Sequence, residues 1–510
     1  MDISEKLKNL TPEQLELLQK KMRSKGATAA PKETIAKRSD QSSFPMSAAQ
    51  MRLWFLDQLD SGSAFYNVPS AVKINGPLDS KAMETAINKV VARHEVLRSF
   101  YVVDERGNPL QKVYDQLFVP LEIVDLSDVS IDAMEMAVAD RLNKAASTAF
   151  TLSKAPLLNA LLLRMSETEH ILMLNMHHII VDGWSIGIIL QEVMVLYETA
   201  RRGATSPLPE PKLQFADYAA WQNKVSESDL DKQLEYWKKY LNGMPPVLQL
   251  ISDKPRPSVQ SHQGDHFKIE IDRETTAALR ELSREQQSSL FATLMAATQL
   301  FFHKFTQQED FGIGAPIANR HRKELESIVG FFVNTIALRA SFAENVTFLE
   351  LLSRVKKDIL LATENQDIPF EKIVETVQPH RQLSHSPLFQ VMFDLQTSPL
   401  KAMSFSDISM DIYEMELAAA KFDVLFLLLD KESTVQCTIE YNTDLFNKST
   451  IELMADYYRT LLSHIANHPD APISDYSLLT RPQQHKMIGE WNAPTTDYPR
   501  DKSVHRVFGK

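Results

Sequence analysis

The sequence predicts an α/β fold built in two halves. Three observations predict it. Apolar runs of strand length alternate with stretches of helical spacing on both sides of the chain's middle. That middle is punctuated by Pro207, Pro209, Pro211, Pro245, Pro246, Pro255 and Pro257. The chain has 510 residues, 44% hydrophobic and 24% charged, an ordinary globular composition that can bury large cores without disulfides. At about 150 residues per domain, length alone suggests about three domains.

The elements follow in order. Residues 1–26 read as a separate amphipathic helix. Thr11 can cap it, Pro12 suits the first helical position, and Gln14 completes a capping box. Leu15, Leu18 and Met22 share a face, and Lys20, Lys21 and Arg23 fall in the last turn. Such a helix either docks a partner or packs on its own domain. Residues 27–43 are polar and read as a linker. The first half is expected over 44–222, with strands at 67–75, 116–124 and 158–175 and helices at 79–93, 131–148 and 185–201. A connector is expected over 223–262, where Leu230, Leu234, Trp237 and Leu241 keep helical spacing up to Gly243. The second half is expected over 263–485. Phe267, Ile269 and Ile271 alternate as a strand, helices follow at 274–285 and 289–305, and strands at 310–315 and 331–340.

Several function classes are disfavoured. Lys plus Arg is 55 and Asp plus Glu is 66, a net charge of −11, which argues against a general nucleic-acid binder. No run approaches the roughly 20 apolar residues needed to span a bilayer, and no signal-peptide pattern opens the chain, so a soluble cytoplasmic protein is expected. No GxxxxGK[ST] or GxGxxG phosphate loop is present. The single cysteine, Cys437, excludes an intramolecular disulfide. It lies in an alternating segment, Val435 to Tyr441, and reads as a buried strand residue rather than a reactive thiol.

The stretch richest in chemistry is Asn175-Met176-His177-His178-Ile179-Ile180-Val181-Asp182-Gly183-Trp184-Ser185. It follows an apolar strand and precedes a helix. Burying His-His-Asp is costly unless the groups are satisfied or used. Three readings stand. One histidine is a general base at the strand end, with Asp182 holding the loop. Alternatively His177, His178 and Asp182 bind a metal, although adjacent strand residues point to opposite faces and converge poorly. In the third, the histidines are satisfied core residues.

The motif His177-His178-x-x-x-Asp182-Gly183 resembles the active-site motif of the condensation domains of nonribosomal peptide synthetases, and the HxxxDG of chloramphenicol-acetyltransferase-like enzymes. Ordered motifs around it sharpen the resemblance. Ser47-Ala48-Ala49-Gln50-Met51-Arg52-Leu53-Trp54 and Arg93-His94-Glu95-Val96-Leu97-Arg98 precede it. Asp217-Tyr218-Ala219-Ala220-Trp221-Gln222, Ile313 to Arg320, Gly330-Phe331-Phe332-Val333-Asn334-Thr335, and Gln366 to Glu371 with Arg381 and Pro387-Leu388-Phe389-Gln390 follow it. The resemblance covers about residues 44–485. Trp491-Asn492, Asp497-Tyr498-Pro499 and Val504-His505 resemble the opening of an adenylation domain. Residues 486–510 are therefore expected as a linker and a truncated adenylation start, and the chain as a piece of a longer synthetase.

The resemblance implies two chloramphenicol-acetyltransferase-like lobes in a V-shaped pseudo-dimer with a central tunnel. It implies amide formation between a donor acyl or peptidyl thioester and an acceptor aminoacyl thioester. No cofactor is expected to be held by the domain itself. Phosphopantetheine arms come from an upstream donor carrier and a downstream acceptor carrier protein, or an acyl-CoA serves as donor in a starter domain. An adjacent adenylation domain in cis is implied. A monomer with no nucleic-acid or membrane partner is expected. The resemblance assigns His178 to the acceptor amine as base or positioning group, and Gly183 to close approach of the substrate, with its N–H near the oxyanion. His177 is structural. Asp182 pairs with an arginine, Arg320 first and Arg93 second. Trp184, Ser185, Trp221 and Asn334 are candidates for the tunnel, and Arg52 and Arg98 for structure. Asp182-Gly183-Trp184-Ser185 differs from the Asp-Gly-Val-Ser of epimerisation and D-donor types, and resembles the L-donor or lipid-starter type. The alternatives are a free-standing CoA-dependent N- or O-acyltransferase, a non-catalytic docking domain, and a metal enzyme.

Overall fold

The computed structural model describes residues 35–38, 43–59, 62–224, 227–342, 345–377, 382–397, 403–405, 407–415, 419–493, 503 and 505–506. The helix expected over 1–26, Arg381, the segment Asp497-Tyr498-Pro499 and Val504 lie outside the described residues.

Two six-stranded sheets organise the chain. The first runs in the order 403–405, 408–413, 67–75, 169–177, 158–164 and 121–125. Both its faces are buried, which is why its central strands read as nearly continuous apolar runs. Alternate residues serve different cores. Leu158, Ala160, Leu162, Leu172, Leu174 and Met176 face the helices Ser80–Arg93 and Gly183–Arg201. Leu161, Leu163, Ile171 and Met173 face the helix Ile131–Ala146 through Val138 and Leu142.

The second sheet runs 334–341, 310–317, 391–397, 424–430, 435–442 and 264–271. The helix Leu290–Thr306 crosses its core, with every side chain from Ala292 to Phe302 buried, the mark of a central helix. Cys437 is fully buried in this core, as its alternating strand implies. Residues 331–333, expected as the start of a strand, lie outside it; the strand begins at Asn334.

The proline-marked division is crossed from the second half into the first. Residues 403–413 lie within the expected second half, yet Ser409 to Tyr413 pair with Asn75 to Ala71 of the first sheet. They cover what would otherwise be an open strand edge. Leu325, Ile328, Val329, Phe331 and Phe332 also leave the second half and join the first core. Burying each phenylalanine contributes about 1.5–3 kcal/mol. Gly330 makes this crossing possible, because a Cβ there would collide with the buried Phe215 ring. The expected connector belongs largely to the second half. Its helix Glu227–Tyr240 seats Trp237 in the second core, where the indole N–H donates to the Asn365 carbonyl at 2.8 Å.

Candidate active site

The first sheet delivers the histidine pair. Strand Glu169–His177 ends opposite Asn67. One tight turn, His178–Ile180, then leads to Asp182, which caps the helix Gly183–Arg201. The cap is local chemistry: Asp182 Oδ1 accepts from the Ser185 amide at 2.8 Å.

The two histidines part company at the strand end. His177 is 2% exposed, with Phe150 and Tyr66 rings beside it. Its Nδ1 accepts from the Ile179 amide at 3.1 Å. His178 is half-buried, lies 4.7 Å from the Phe331 ring, and lines a cavity of 1620 Å³. The Val181 carbonyl lies 2.7 Å from its Nδ1. A carbonyl only accepts, so Nδ1 carries the hydrogen and Nε2 keeps its lone pair. Burial, helped by the Lys421 charge, pushes His178 down to about 3, against the Val181 carbonyl. Burial also lowers His177 to about 3. Both imidazoles are neutral near pH 7. Their different neighbours leave them poorly placed to share an ion, and no cluster of three His, Cys, Asp or Glu suited to a metal occurs among the described residues.

Asp182 is fully committed. Besides the cap, its Oδ2 accepts from the Phe332 amide at 3.0 Å, and Arg320 Nη2 lies 3.1 and 3.2 Å from its two oxygens. Arg320 also donates to the Leu325 and Ile328 carbonyls and to Ser185 Oγ, at 2.6, 2.7 and 2.8 Å. Its guanidinium lies 4.0 Å over Phe332. Burial lowers its pKa against the attraction of Asp182. Ser185 Oγ in turn donates to the Gly330 carbonyl at 2.9 Å. A carboxylate with all these donors has no lone pair to spare for base catalysis. The knot instead pins a crossing segment of the second half to the motif of the first.

Other expected residues sort differently. Arg93 is not the partner of Asp182. Its Nε binds Glu192 Oε1 at 3.0 Å and its guanidinium reaches the Pro209 carbonyl, so it lines a remote part of the cavity. The reason is placement: Arg93 ends a helix packed beside Glu192, whereas Arg320 arrives on the crossing segment. Ser185 belongs to the knot rather than to the cavity wall. Trp184 is 50% exposed and lines the cavity, held by its indole N–H to the Glu326 carbonyl at 2.9 Å. Trp221 lies under the Arg322 guanidinium at 4.5 Å and is not part of that wall. Asn334 donates to the Gln366 and Ile368 carbonyls at 2.9 and 2.8 Å, shaping a loop. Arg98 is spent on backbone carbonyls of Val91, Ala92, Tyr114 and Asp115. Arg52 pairs with Glu371 at 3.2 Å across the two halves.

Gly183 opens the helix and lines the cavity beside His178; a Cβ there would meet nothing within 4 Å. Its backbone needs no glycine for conformation, so the missing Cβ leaves cavity space free. The first N–H groups of a helix carry partial positive charge.

Sequence reasoning missed Lys421. It comes from the second half, and its Nζ lies 5.6 Å from the Tyr66 ring and 5.7 Å from that of Phe65. Burial lowers its pKa. A lone lysine after Ala419-Ala420 carries no local signal of this placement.

The comparisons agree with this geometry. A family model described as Condensation domain matches residues 40–488. One of the linear gramicidin synthase proteins of Brevibacillus parabrevis is 41% identical over 473 residues, covering 92% of this chain and 9% of that protein. Surfactin synthase subunit 1 of Bacillus subtilis is 36% identical over 468 residues, 92% of this chain and 13% of that protein. The chain thus spans a small part of the length of these relatives. In fold it is similar to the first condensation domain of the calcium-dependent antibiotic synthetase in complex with a substrate analogue. The TM-score is 0.74, at 19% identity, over 86% of this chain and 100% of that one. With the histidine pair, the capped Asp182 and the crossing Arg320 all in place, the chain belongs to the condensation-domain family.

Proposed function

We propose that the domain joins a donor acyl or peptidyl thioester to the amine of an acceptor aminoacyl thioester in nonribosomal peptide synthesis. The observation that carries this reading is His178. Its Nδ1–H is tied to a carbonyl, its Nε2 lone pair is free, and it shares the cavity wall with Gly183. The cavity volume exceeds the roughly 300–1,000 Å³ of ordinary small-molecule pockets, as two converging tethered substrates require.

In this mechanism the acceptor amine donates a hydrogen bond to His178 Nε2 and attacks the thioester carbon. A C–N bond forms and the carbonyl oxygen takes up negative charge, which the Gly183 end of the helix stabilises. The oxyanion then collapses and the C–S bond breaks. The proton lost by the nitrogen goes to the departing sulfur, leaving an amide and a thiol. Because charging His178 is costly where it sits, its main role is to orient a neutral amine, and proximity supplies much of the rate. Asp182, Arg320, His177 and Ser185 hold the turn that aims it.

The substrates arrive on phosphopantetheine arms of an upstream donor and a downstream acceptor carrier protein, with an adenylation domain following in cis. An L-configured or fatty-acyl donor fits the Trp184 after Gly183. No described helix is long and apolar enough to cross a membrane.

The test mixes donor-loaded and acceptor-loaded carrier proteins with the domain and follows the acceptor carrier by mass spectrometry. Condensed product that disappears in His178→Ala supports the reading. Turnover of soluble amines with acyl-CoA, without any carrier, replaces it with the free-standing acyltransferase.

A further inference from the structure

A carboxylate in the same cavity has no part in that mechanism. Strand Val391–Thr397 lies between strands 310–317 and 424–430 of the second sheet. Val391 and Phe393 are fully buried in the core. Asp394 belongs to the opposite alternation and lines the cavity with His178 and Gly183. Met392 pairs with Gly314 in parallel register, so Asp394 lies near Pro316, towards the carboxyl ends of these strands. Ligands of α/β sheets commonly gather there.

The carboxylate is poorly compensated. Gln396 Nε2 donates to Asp394 Oδ2 at 2.8 Å, and the Leu395 amide adds a second donor. Among the described residues it has no cationic partner. Lys212 and Lys323 line the cavity too, yet neither contributes to the charge balance at Asp394. Burial raises its pKa as a consequence. Pro316 and Ile317 of the neighbouring strand, with Val333, give the same cavity apolar lining. A lone carboxylate in such a wall is costly in itself and becomes favourable when a cation meets it.

We propose that Asp394 is a specificity-determining residue that selects a substrate whose side chain ends in an ammonium or guanidinium group. The proposal rests on the condensation reading for its reaction. The observations fit the donor or the acceptor side chain, and the test separates them.

The experiment compares lysyl with norleucyl groups, which differ by a terminal amine, on the donor carrier in one arm and the acceptor carrier in the other. In one arm the wild-type domain should favour lysyl by about tenfold or more, and Asp394→Asn should reduce that ratio by about tenfold. Asp394→Lys should shift preference towards a glutamyl substrate in the same arm. Equal rates for lysyl and norleucyl in both arms, or a preference that survives Asp394→Asn, overturns the proposal. A calorimetric titration with the N-acetylcysteamine thioesters of lysine and norleucine reads the subsite without catalysis. Tighter lysine binding, lost in Asp394→Asn, supports the subsite even if no amide forms, in which case the condensation reading alone fails. Equal binding overturns it.

Discussion

His177 and His178 are neighbours with the same side chain in different surroundings. His177 is enclosed by rings and holds the next turn through its ring Nδ1, which accepts from the Ile179 amide. His178 is tied at one nitrogen and faces a cavity with the other. The turn that follows is divided in a similar way. Asp182 borders the cavity but commits its buried carboxylate to Arg320, Ser185 lies off the cavity wall and also binds Arg320, and Gly183 and Trp184 between them line the cavity. Within one motif, then, the packed side supplies rigidity, and the proposed mechanism draws its chemistry from the open side. Substitutions on the two sides should fail in different ways.

The largest separation is expected at His178. His178→Ala should lower the condensation rate by about 10²-fold, measured in single turnover, with little change in urea midpoint. An equal loss of stability would place His178 on the packed side after all. Asp182→Ala or Arg320→Ala should show the reverse order of causes. Each leaves a buried charge alone and should cost about 3–5 kcal/mol in denaturant unfolding, while Arg93→Ala, paired at Glu192 instead, should cost much less. Gly183→Ala meets no atom, so the fold should survive with an unchanged midpoint. Its methyl group in the cavity should slow condensation about tenfold, a cost of about 1.4 kcal/mol, and a wild-type rate would remove Gly183 from the open side. Trp184→Phe loses one hydrogen bond to the Glu326 carbonyl and should cost about 1 kcal/mol of stability.

The smallest effect expected is a missing one. His178, held at about 3, is neutral at every pH above about 4. The rate should therefore rise only as the acceptor α-amine deprotonates, near pH 7.7–8.0. A second inflection near pH 6.5 in wild type that vanishes in His178→Ala would show the imidazole charging during turnover.

Much of this was legible in the sequence because it is local. The alternating strand, the polar turn and the capped helix lie within some 35 consecutive residues, and their periodicities mark them. The seven-motif resemblance then gave each residue a role. What escaped depended on distance along the chain. The resemblance ranked Arg320 ahead of Arg93 for Asp182, but the physical reason, the crossing of residues 325–332 into the first core, is not visible in the sequence. Strand 408–413 shows ordinary alternation, and nothing in it names 67–75 as its partner. Asp394 and Lys421 sit in apolar segments whose companions come from elsewhere. The cavity that gives Asp394 its meaning belongs to no single stretch.

The strand that crosses between the halves carries a consequence for recombination. The proline-rich connector invites a cut, since it separates two apparent units. A chimera joined there would bring residues 408–413 from one parent to strand 67–75 of the other, and Phe332 to a foreign Phe215. Parents must therefore match at these two inserts before they can exchange halves, however well the connector itself is preserved.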